Sequence, residues 1–194
     1  MELVFATNNP NKIEEVQAVI GNRIRIKSLE EIGCHDDIPE TGDTFEDNAG
    51  QKSQYLIDHF GLDSFADDSG LEVYALNGEP GVHSARYSGS RDMEQNIDLV
   101  LTNLGDEADR RACFRTVVSL RLHGQHFLFE GKVEGQLLRE RTGTGGFGYD
   151  PLFVPDGYDR TFAEMDMQEK TAISHRTIAV KKMADFLQDY FSSK

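Results

Sequence analysis

The first half of the chain alternates between short apolar runs, typical of buried strands, and longer segments with one apolar face, typical of helices. The apolar run at 2–6 predicts a strand, and the alternating segment 23–29 predicts another. Segment 12–21 repeats its apolar residues at helical spacing, and 44–61 does so after a start with capping-box spacing. Strands and helices in alternation indicate an α/β fold.

Residues 63–76 place two adjacent carboxylates, Asp67 and Asp68, between two apolar segments. Neighbouring side chains on a strand point to opposite faces, so at most one of them can lie over a buried core without a partner. We interpret the segment as strand, tight turn and strand, with Gly70 permitting the turn. An Asp-Asp-Ser-Gly string is usually a solvated turn, and that interpretation stays open beside a functional one.

The second half of the chain changes to a hairpin pattern. Two strand-like segments, 114–122 and 126–135, are separated only by a short turn, which predicts antiparallel strands. Further helices are predicted at 91–105 and 174–191. The predicted fold class is therefore α/β, with a long mixed β-sheet flanked by helices.

Length, charge and cysteine content limit the classes of function. The 194 residues fit a single domain spanning 1–194, and the net charge of −14 argues against a partner that is nucleic acid. No apolar run is long enough to span a bilayer, so we expect no membrane partner and a cytoplasmic protein. Cys34 and Cys113 provide no disulfide framework, which favours a reducing compartment.

Two motifs in the first half could carry phosphate chemistry. ATNNPNK joins a strand to a helix that starts near Lys12, and such a junction suits an anion because free N–H groups and the helix dipole point there. Most junctions of this kind bind nothing, and this one lacks the P-loop spacing. Glu40, Asp67 and Asp68 supply the oxygen ligands that Mg²⁺ prefers, and Ser69 adds a donor.

The glycine-rich segment 143–151 could bind a planar ligand. Its glycines would let the backbone approach the ligand closely, Phe147 or Tyr149 would stack on a base, and Asp150 would read the edge of that base. The alternative is a mobile loop whose aromatic side chains cap the core.

The segment EKTAISHR brings several hydrogen-bond donors to the start of the last predicted helix. Ser174 has the position of an N-cap, and Lys170, His175 and Arg176 would suit an acceptor such as a keto oxygen. The alternative is a solvated surface.

Six motifs in this order resemble the inosine triphosphate pyrophosphatase family of house-cleaning nucleoside triphosphate pyrophosphatases: ATNNPNK, PETGDTFEDNAGQK, FADDSGL, GEPGVHSARYSG, GTGGFGYDPLF and EKTAISHR. The resemblance extends from residue 3 to about residue 187. It implies that a homodimer with Mg²⁺ hydrolyses inosine, deoxyinosine and xanthosine triphosphates to the monophosphate and pyrophosphate. It also implies a central substrate cleft between two lobes.

The resemblance further implies a site. Glu40 and Asp68 correspond to the metal-binding acids, and Asp68 to the catalytic residue that activates water. The implied substrate-binding residues are Thr7, Asn8, Asn9, Pro10, Asn11, Lys12, Lys52, Ser69, Phe147, Gly148, Tyr149, Asp150, Lys170, Ser174, His175 and Arg176. Asn8 stands where many relatives have Gly, so its backbone must be one that a residue with a side chain can adopt.

These assignments give a mechanism to test. We expect Asp68 to face the cleft and Asp67 to point the other way, where it holds the turn or a supporting partner. Donors from His175 or Arg176 would pair with the 6-keto oxygen of the base, and their mismatch with adenine could discriminate by about four orders of magnitude. The rival functions are a Maf-like nucleotide pyrophosphatase and a non-catalytic nucleotide-binding module.

Overall fold

A computed structural model describes residues 2–21 and 24–192 of the chain. The strands are β1 (Glu2–Phe5), β2 (Arg25–Lys27), β3 (Ser64–Val73), β4 (Arg111–Leu122), β5 (Gln125–Leu137) and β6 (Phe153–Pro155). The helices are α1 (Pro10–Ile20), α2 (Phe45–Phe60), α3 (Met93–Leu104), α4 (Met167–Ile173) and α5 (His175–Ser192). Short 3₁₀ turns connect several of them.

The strands form one sheet in the order β2-β1-β3-β4-β5-β6. β1 pairs in parallel with both β2 and β3, whereas β5 and β6 pair antiparallel. Only His123 and Gly124 separate β4 from β5, and both have positive φ, as a type I′ hairpin turn requires. The predicted α/β class with a mixed sheet is therefore confirmed.

The predicted turn in the segment that carries Asp67 and Asp68 is wrong. Strand β3 runs without interruption from Ser64 to Val73, and almost all of its residues are buried. The local turn preference is overridden because each carboxylate has a partner within the fold: Asp67 pairs with Lys12, and Asp68 accepts a hydrogen bond from the buried Asn48. Both acids are thus accommodated on an extended strand.

The predicted helices are present, with boundaries shifted by one or two residues. α1 begins at Pro10, because proline is tolerated at the first helical position, where its missing N–H would have no helical partner. α2 begins after Thr44, whose hydroxyl accepts a hydrogen bond from the Asp47 N–H. The strand predicted at 23–29 is only three residues long, and Arg23 lies outside the described residues. Helix α4 was not predicted.

The chain divides into two compact units, each built from separated segments. The first unit comprises 1–68, 116–131 and 176–194, and the second comprises 69–115 and 132–175. The organisation of 1–194 as one domain stays a prediction.

Each unit has its own apolar core. In the first unit, Phe5 and Phe65 stack with their ring centroids 4.4 Å apart, and α1, α5 and β4 pack around them. In the second unit, Phe114 lies against Phe153 and Phe162. No helix in the described part of the chain has the length and apolar character needed to cross a membrane.

Candidate active site

A buried ion-pair network surrounds Asp67 in the first unit. The Asp67 carboxylate accepts hydrogen bonds from Lys12 Nζ at 3.0 Å and from Arg176 Nε at 3.1 Å. Lys52 Nζ donates to the backbone oxygen of the same residue at 2.6 Å. The side chains of Asp67 and Arg176 are only 1% and 2% exposed, so these charges interact with little solvent screening. Glu15 of α1 forms a second ion pair with Arg176.

The network keeps Asp67 ionised. Burial by itself would raise the pKa of Asp67, but the positive charges of Lys12, Arg176 and Lys52 outweigh burial and lower that pKa. Burial lowers the pKa of Lys12, and Asp67 opposes that shift. The pKa of Arg176 is raised despite burial, because Asp67 and Glu15 stabilise its charge. Asp67 is therefore the structural centre of the charge network.

Asp68 has a different environment from its neighbour. One of its carboxylate oxygens accepts a hydrogen bond from Asn48 Nδ2 at 2.9 Å. Burial raises the pKa of Asp68, the positive charges of Lys52 and Lys12 oppose that shift, and the negative charge of Glu40 adds to it. A raised pKa makes Asp68 a stronger base than an ordinary aspartate, which suits proton abstraction from water.

Helix α2 supplies two polar side chains to this site. Asn48 and Lys52 are one helical turn apart, so they lie on the same face of α2, and both are buried. Lys52 pairs with Glu40 from the loop before the helix. The Asn48 amide oxygen also accepts a hydrogen bond from the Gly42 N–H at 2.8 Å, which ties that loop to the helix.

The donor set fits a magnesium ion. Glu40 and Asp68 provide carboxylate oxygens, and their mutual repulsion contributes to the raised pKa of Asp68. Among residues 2–21 and 24–192, no group of three or more His, Cys, Asp or Glu side chains is arranged to hold a metal. Mg²⁺ takes one or two carboxylates and completes its shell with water and substrate phosphates, so two acids are sufficient.

The loop before α1 is held by its own side chains. Asn9 is the N-cap, and its Oδ1 accepts hydrogen bonds from the N–H groups of Asn11 at 3.0 Å and Lys12 at 3.4 Å. The Asn9 N–H in turn donates to Thr7 Oγ1 at 3.2 Å. Asn8 is exposed and does not have a positive φ, so its side chain is compatible with the backbone at this position.

In the second unit, Asp150 orders the glycine-rich loop. Its Oδ2 accepts hydrogen bonds from the Phe147 N–H and from Lys170 Nζ, both at 2.8 Å. Lys170 Nζ also lies 4.3 Å from the centroid of the Phe147 ring, as in a cation–π contact. Asp150, at 2% exposure, therefore holds both the loop and the lysine. The expectation that it reads a base edge stays a prediction.

Packing requires several of the loop glycines. A Cβ at Gly146 would collide with the Asp150 carboxylate, and one at Gly145 would lie 2.9 Å from the Ala163 carbonyl oxygen. The Gly145 N–H donates to that same oxygen at 3.0 Å. A Cβ at Gly148, by contrast, would meet nothing within 4 Å. The glycine content thus has a structural cause that the sequence interpretation did not include.

Three further predicted contact residues are buried in the second unit. Tyr149 is buried and its hydroxyl donates to the Ser84 carbonyl oxygen at 2.8 Å, so its side chain caps the core, as the alternative interpretation had it. The ring of His175 stacks on Phe114, with centroids 4.9 Å apart and planes 9° apart. Ser174 is buried and extended, directly before α5 begins.

The structure divides the predicted donor cluster between two acids. Lys170 binds Asp150, whereas the guanidinium of Arg176 binds Asp67 and Glu15. Lys12, Lys52 and Arg176, which are far apart in sequence, all donate hydrogen bonds to Asp67.

Sequence reasoning missed two site residues, Glu15 and Asn48. Glu15 is a buried acid on α1, three residues after Lys12 and directly before the core residue Val16. An acidic residue at the edge of an apolar helix face was the available signal, because a buried charge requires a partner. The signal for Asn48 was weaker: it lies one helical turn before Lys52 and therefore on the same face of α2.

Lysine side chains close to carboxylates that can bind Mg²⁺ are features of enzymes that act on phosphate groups. The chain belongs to the Ham1 family, whose model matches residues 3–186. It is 50% identical over 188 residues to a protein of Christiangramia forsetii named dITP/XTP pyrophosphatase, covering 96% of this chain and 99% of the relative. The family resemblance found from the six motifs is thereby confirmed.

Two solved structures extend the likeness to the fold. The Ham1 protein of Staphylococcus aureus is 40% identical, with a TM-score of 0.90 over 98% of this chain and 100% of its own. A HAM1 protein from Coxiella burnetii is 39% identical, with a TM-score of 0.91 over 97% of this chain and 99% of its own.

Proposed function

We propose that the protein hydrolyses the aberrant purine nucleotides ITP, dITP and XTP to the monophosphate and pyrophosphate, and so cleanses the nucleotide pool. As a Ham1 family member whose relatives are named dITP/XTP pyrophosphatase, the chain is a nucleoside triphosphate pyrophosphatase, a hydrolase. The observation that carries the residue assignments is the pair Asp67 and Asp68: the first is paired with Lys12 and Arg176, and its neighbour is a buried carboxylate held by Asn48.

The charge balance of the first unit's site supports a requirement for Mg²⁺. Three cationic side chains, Lys12, Lys52 and Arg176, are associated with four carboxylates, those of Glu15, Glu40, Asp67 and Asp68, which leaves one excess negative charge. A triphosphate would be repelled by that excess. A divalent cation held by Glu40 and Asp68 would reverse the sign and favour the polyanionic substrate.

In the proposed mechanism, water attacks the α-phosphorus in line and pyrophosphate leaves. Bound Mg²⁺ would supply charge neutralisation and lower the pKa of water. Asp68, held by its hydrogen bond from Asn48, orients the attacking water and receives its proton. Lys12 and Lys52, with the loop 7–12, bind the phosphates and neutralise the charge that develops on the leaving group. Asp67 keeps Lys12 and Arg176 in place.

We assign base recognition to the second unit's predicted residues. Phe147 stacks on the purine, and Ser69, Gly148 and the backbone at Tyr149 add contacts. His175, with its ring held flat on Phe114, donates to the 6-keto oxygen. Lys170 and Ser174 complete the donor set. Arg176 acts on the base only indirectly, since its guanidinium is paired with Asp67 and Glu15.

We further propose that the protein works as a homodimer in the cytoplasm and acts on free nucleotides rather than on nucleic acid. The net charge of −14 supports the last point, because nucleic-acid binding relies on clustered cations. The free thiols of Cys34 and Cys113 suit a reducing compartment.

Product analysis tests the proposal. ITP, dITP, XTP, ATP and GTP are incubated separately with the protein and Mg²⁺, and the products are separated by chromatography, with and without a chelator. We expect the monophosphate and pyrophosphate from the first three substrates, and loss of turnover on chelation. Asp68→Asn should abolish turnover, whereas the matched control Asp106→Asn, at an exposed aspartate, should keep it. Slow release of single phosphates at equal rates from all five substrates would contradict the proposal.

A second experiment separates base recognition from phosphate chemistry. In His175→Ala the ratio of kcat/KM for ITP over ATP should fall, because the keto-specific donor is gone. In Arg176→Lys the loss of kcat/KM should be similar for both substrates, because the substitution changes the ion pair with Asp67 and not a contact with the base. An unchanged ratio in His175→Ala would refute the keto assignment.

A further inference from the structure

Successive amides of the glycine-rich loop are held by two different anchors. The Phe147 N–H donates to Asp150, a buried acid within the loop itself. The next amide, the Gly148 N–H, donates to the thioether sulfur of Met93, with 3.1 Å between N and Sδ. Met93 is the first residue of α3 and is 48% exposed. One side of the loop thus depends on a surface side chain from another element.

We propose that Met93 is a positioning residue for the loop 147–150, and that oxidation of its thioether weakens purine binding. The inference rests on the proposed function, in which this loop contacts the base. It assigns to Met93 a role in substrate affinity rather than in the chemical step, since the residue acts through the Gly148 amide and not on the phosphates.

The geometry at Gly148 makes the loop sensitive to this anchor. Gly148 has φ of +60°, and a Cβ there would meet nothing within 4 Å, so side-chain packing does not hold this residue. A thioether is a weak acceptor but a polarizable one, and leucine has nearly its size without the acceptor. Replacing Met93 by Leu therefore removes the hydrogen bond while keeping most of the apolar contact.

Oxidation would change the same contact in a defined way. A peroxide transfers one oxygen atom to Sδ; sulfur loses two electrons and becomes the sulfoxide, and the peroxide is reduced to water or an alcohol. The 3.1 Å between Sδ and the Gly148 nitrogen leaves no room for an inserted oxygen. If the oxygen takes the Sδ lone pair that faces the Gly148 N–H, the side chain or the loop must shift; if it takes the other lone pair, it draws electron density from Sδ and weakens the sulfur as an acceptor.

The chain contains a matched control for Met93. Met167 is the first residue of α4 and is 53% exposed, so its thioether is open to the same reagent. Met165 and Met183 are buried, at 7% and 0% exposure, and should react slowly. Comparing Met93→Leu with Met167→Leu thus separates the proposed role from general effects of surface methionines.

The first measurement is steady-state hydrolysis of ITP. In Met93→Leu we expect KM to rise about three- to tenfold, the effect of losing one hydrogen bond, with kcat within about twofold of wild type. Met167→Leu should leave both parameters unchanged. Dilute hydrogen peroxide should raise the KM of the wild type and of Met167→Leu, but not that of Met93→Leu. Methionine sulfoxide reductases should restore the wild-type KM.

The second measurement does not depend on activity. Hydrogen exchange of the Gly148 amide, followed by NMR, should be faster in Met93→Leu and in the oxidised protein than in the wild type and Met167→Leu. A KM within twofold of wild type in Met93→Leu, an equal rise in Met167→Leu, or unchanged exchange at Gly148 would overturn the proposal. If the wild type fails to hydrolyse ITP, the proposed function fails, while the exchange experiment still tests the anchor.

Discussion

Asp67 and Asp68 are adjacent on β3, yet the structure predicts opposite consequences when their charges are removed. Asp67 is an ionised acid that compensates Lys12 and Arg176, whereas Asp68 is an acid for which burial disfavours ionisation. We therefore expect Asp67→Asn to lose stability. Asp68→Asn should lose turnover and retain stability.

The magnitude follows from burial and pairing. Breaking a buried ion pair by removing one partner costs about 3–5 kcal/mol, because the remaining charge stays buried without compensation. Lys12 and Arg176, at 15% and 2% side-chain exposure, would both lose their shared partner in Asp67→Asn. At Asp68 an asparagine can still accept the hydrogen bond from Asn48, so we expect the free energy of unfolding to stay within about 1 kcal/mol of wild type.

The two variants should also respond differently to pH. The pKa of Asp67 is lower in the folded state than its unfolded-state value of about 3.9. The contribution of Asp67 to stability is therefore fully present above the unfolded-state pKa and is lost as the pH falls through the folded-state pKa. The difference in the free energy of unfolding between the wild type and Asp67→Asn should thus be constant from pH 8 to pH 5 and shrink below about pH 4. The pKa of Asp68 is raised in the folded state, so ionisation of Asp68 opposes folding. As the pH falls, the free energy of unfolding of the wild type should therefore rise relative to that of Asp68→Asn.

Urea unfolding followed by circular dichroism measures these differences. The free energy of unfolding is determined for the wild type and both variants at several pH values from 3.5 to 8, with pyrophosphate release from ITP measured at neutral pH. Equal stabilities of the two variants at pH 7, or a deficit of Asp67→Asn that grows on acidification, would refute the assignment of Asp67 as the paired anchor.

Three further predictions concern stability and reactivity. Gly50→Ala should raise the free energy of unfolding by about 0.8–1 kcal/mol, measured by urea denaturation, because Gly50 lies inside α2 and an added Cβ would meet nothing within 4 Å. Gly146→Ala should lower the melting temperature more than Gly148→Ala: both residues have positive φ, but only at Gly146 would the Cβ collide with Asp150. Burial raises the pKa of the Cys113 thiol to about 12, so a disulfide reagent at pH 8 should modify it slowly in the native protein and rapidly after unfolding.

Most of the secondary structure could be predicted from the sequence. Helical periodicity located α1, α2, α3 and α5, because one-sided burial leaves a repeat of 3.6 residues in the sequence. It missed α4, which has only seven residues, too few for that repeat to be distinct. It also misread β3 as two strands, because Asp-Asp-Ser-Gly is a local turn signal and local signals do not include distant partners.

The site shows the same division. Residue types at six motifs were enough to find the family, and they singled out Glu40, Asp68, Lys12 and Lys52 as site residues, which stays a prediction. Which acid holds which cation was not in the sequence. Arg176, predicted as a donor to the base, is paired with Asp67, more than one hundred residues away along the chain, and its contact with the base stays a prediction.

Sequence by itself thus determined most of the elements, the fold class and the family, since these depend on periodicity and on residue types at given spacings. Only the tertiary structure decided that Asp67 is paired with Lys12 and Arg176, whereas Asp68 is held by Asn48 and has a raised pKa. The physical reason is that burial and pairing set the charge state of each carboxylate, and both depend on Lys12, Asn48 and Arg176, which the fold brings to β3 from separate helices.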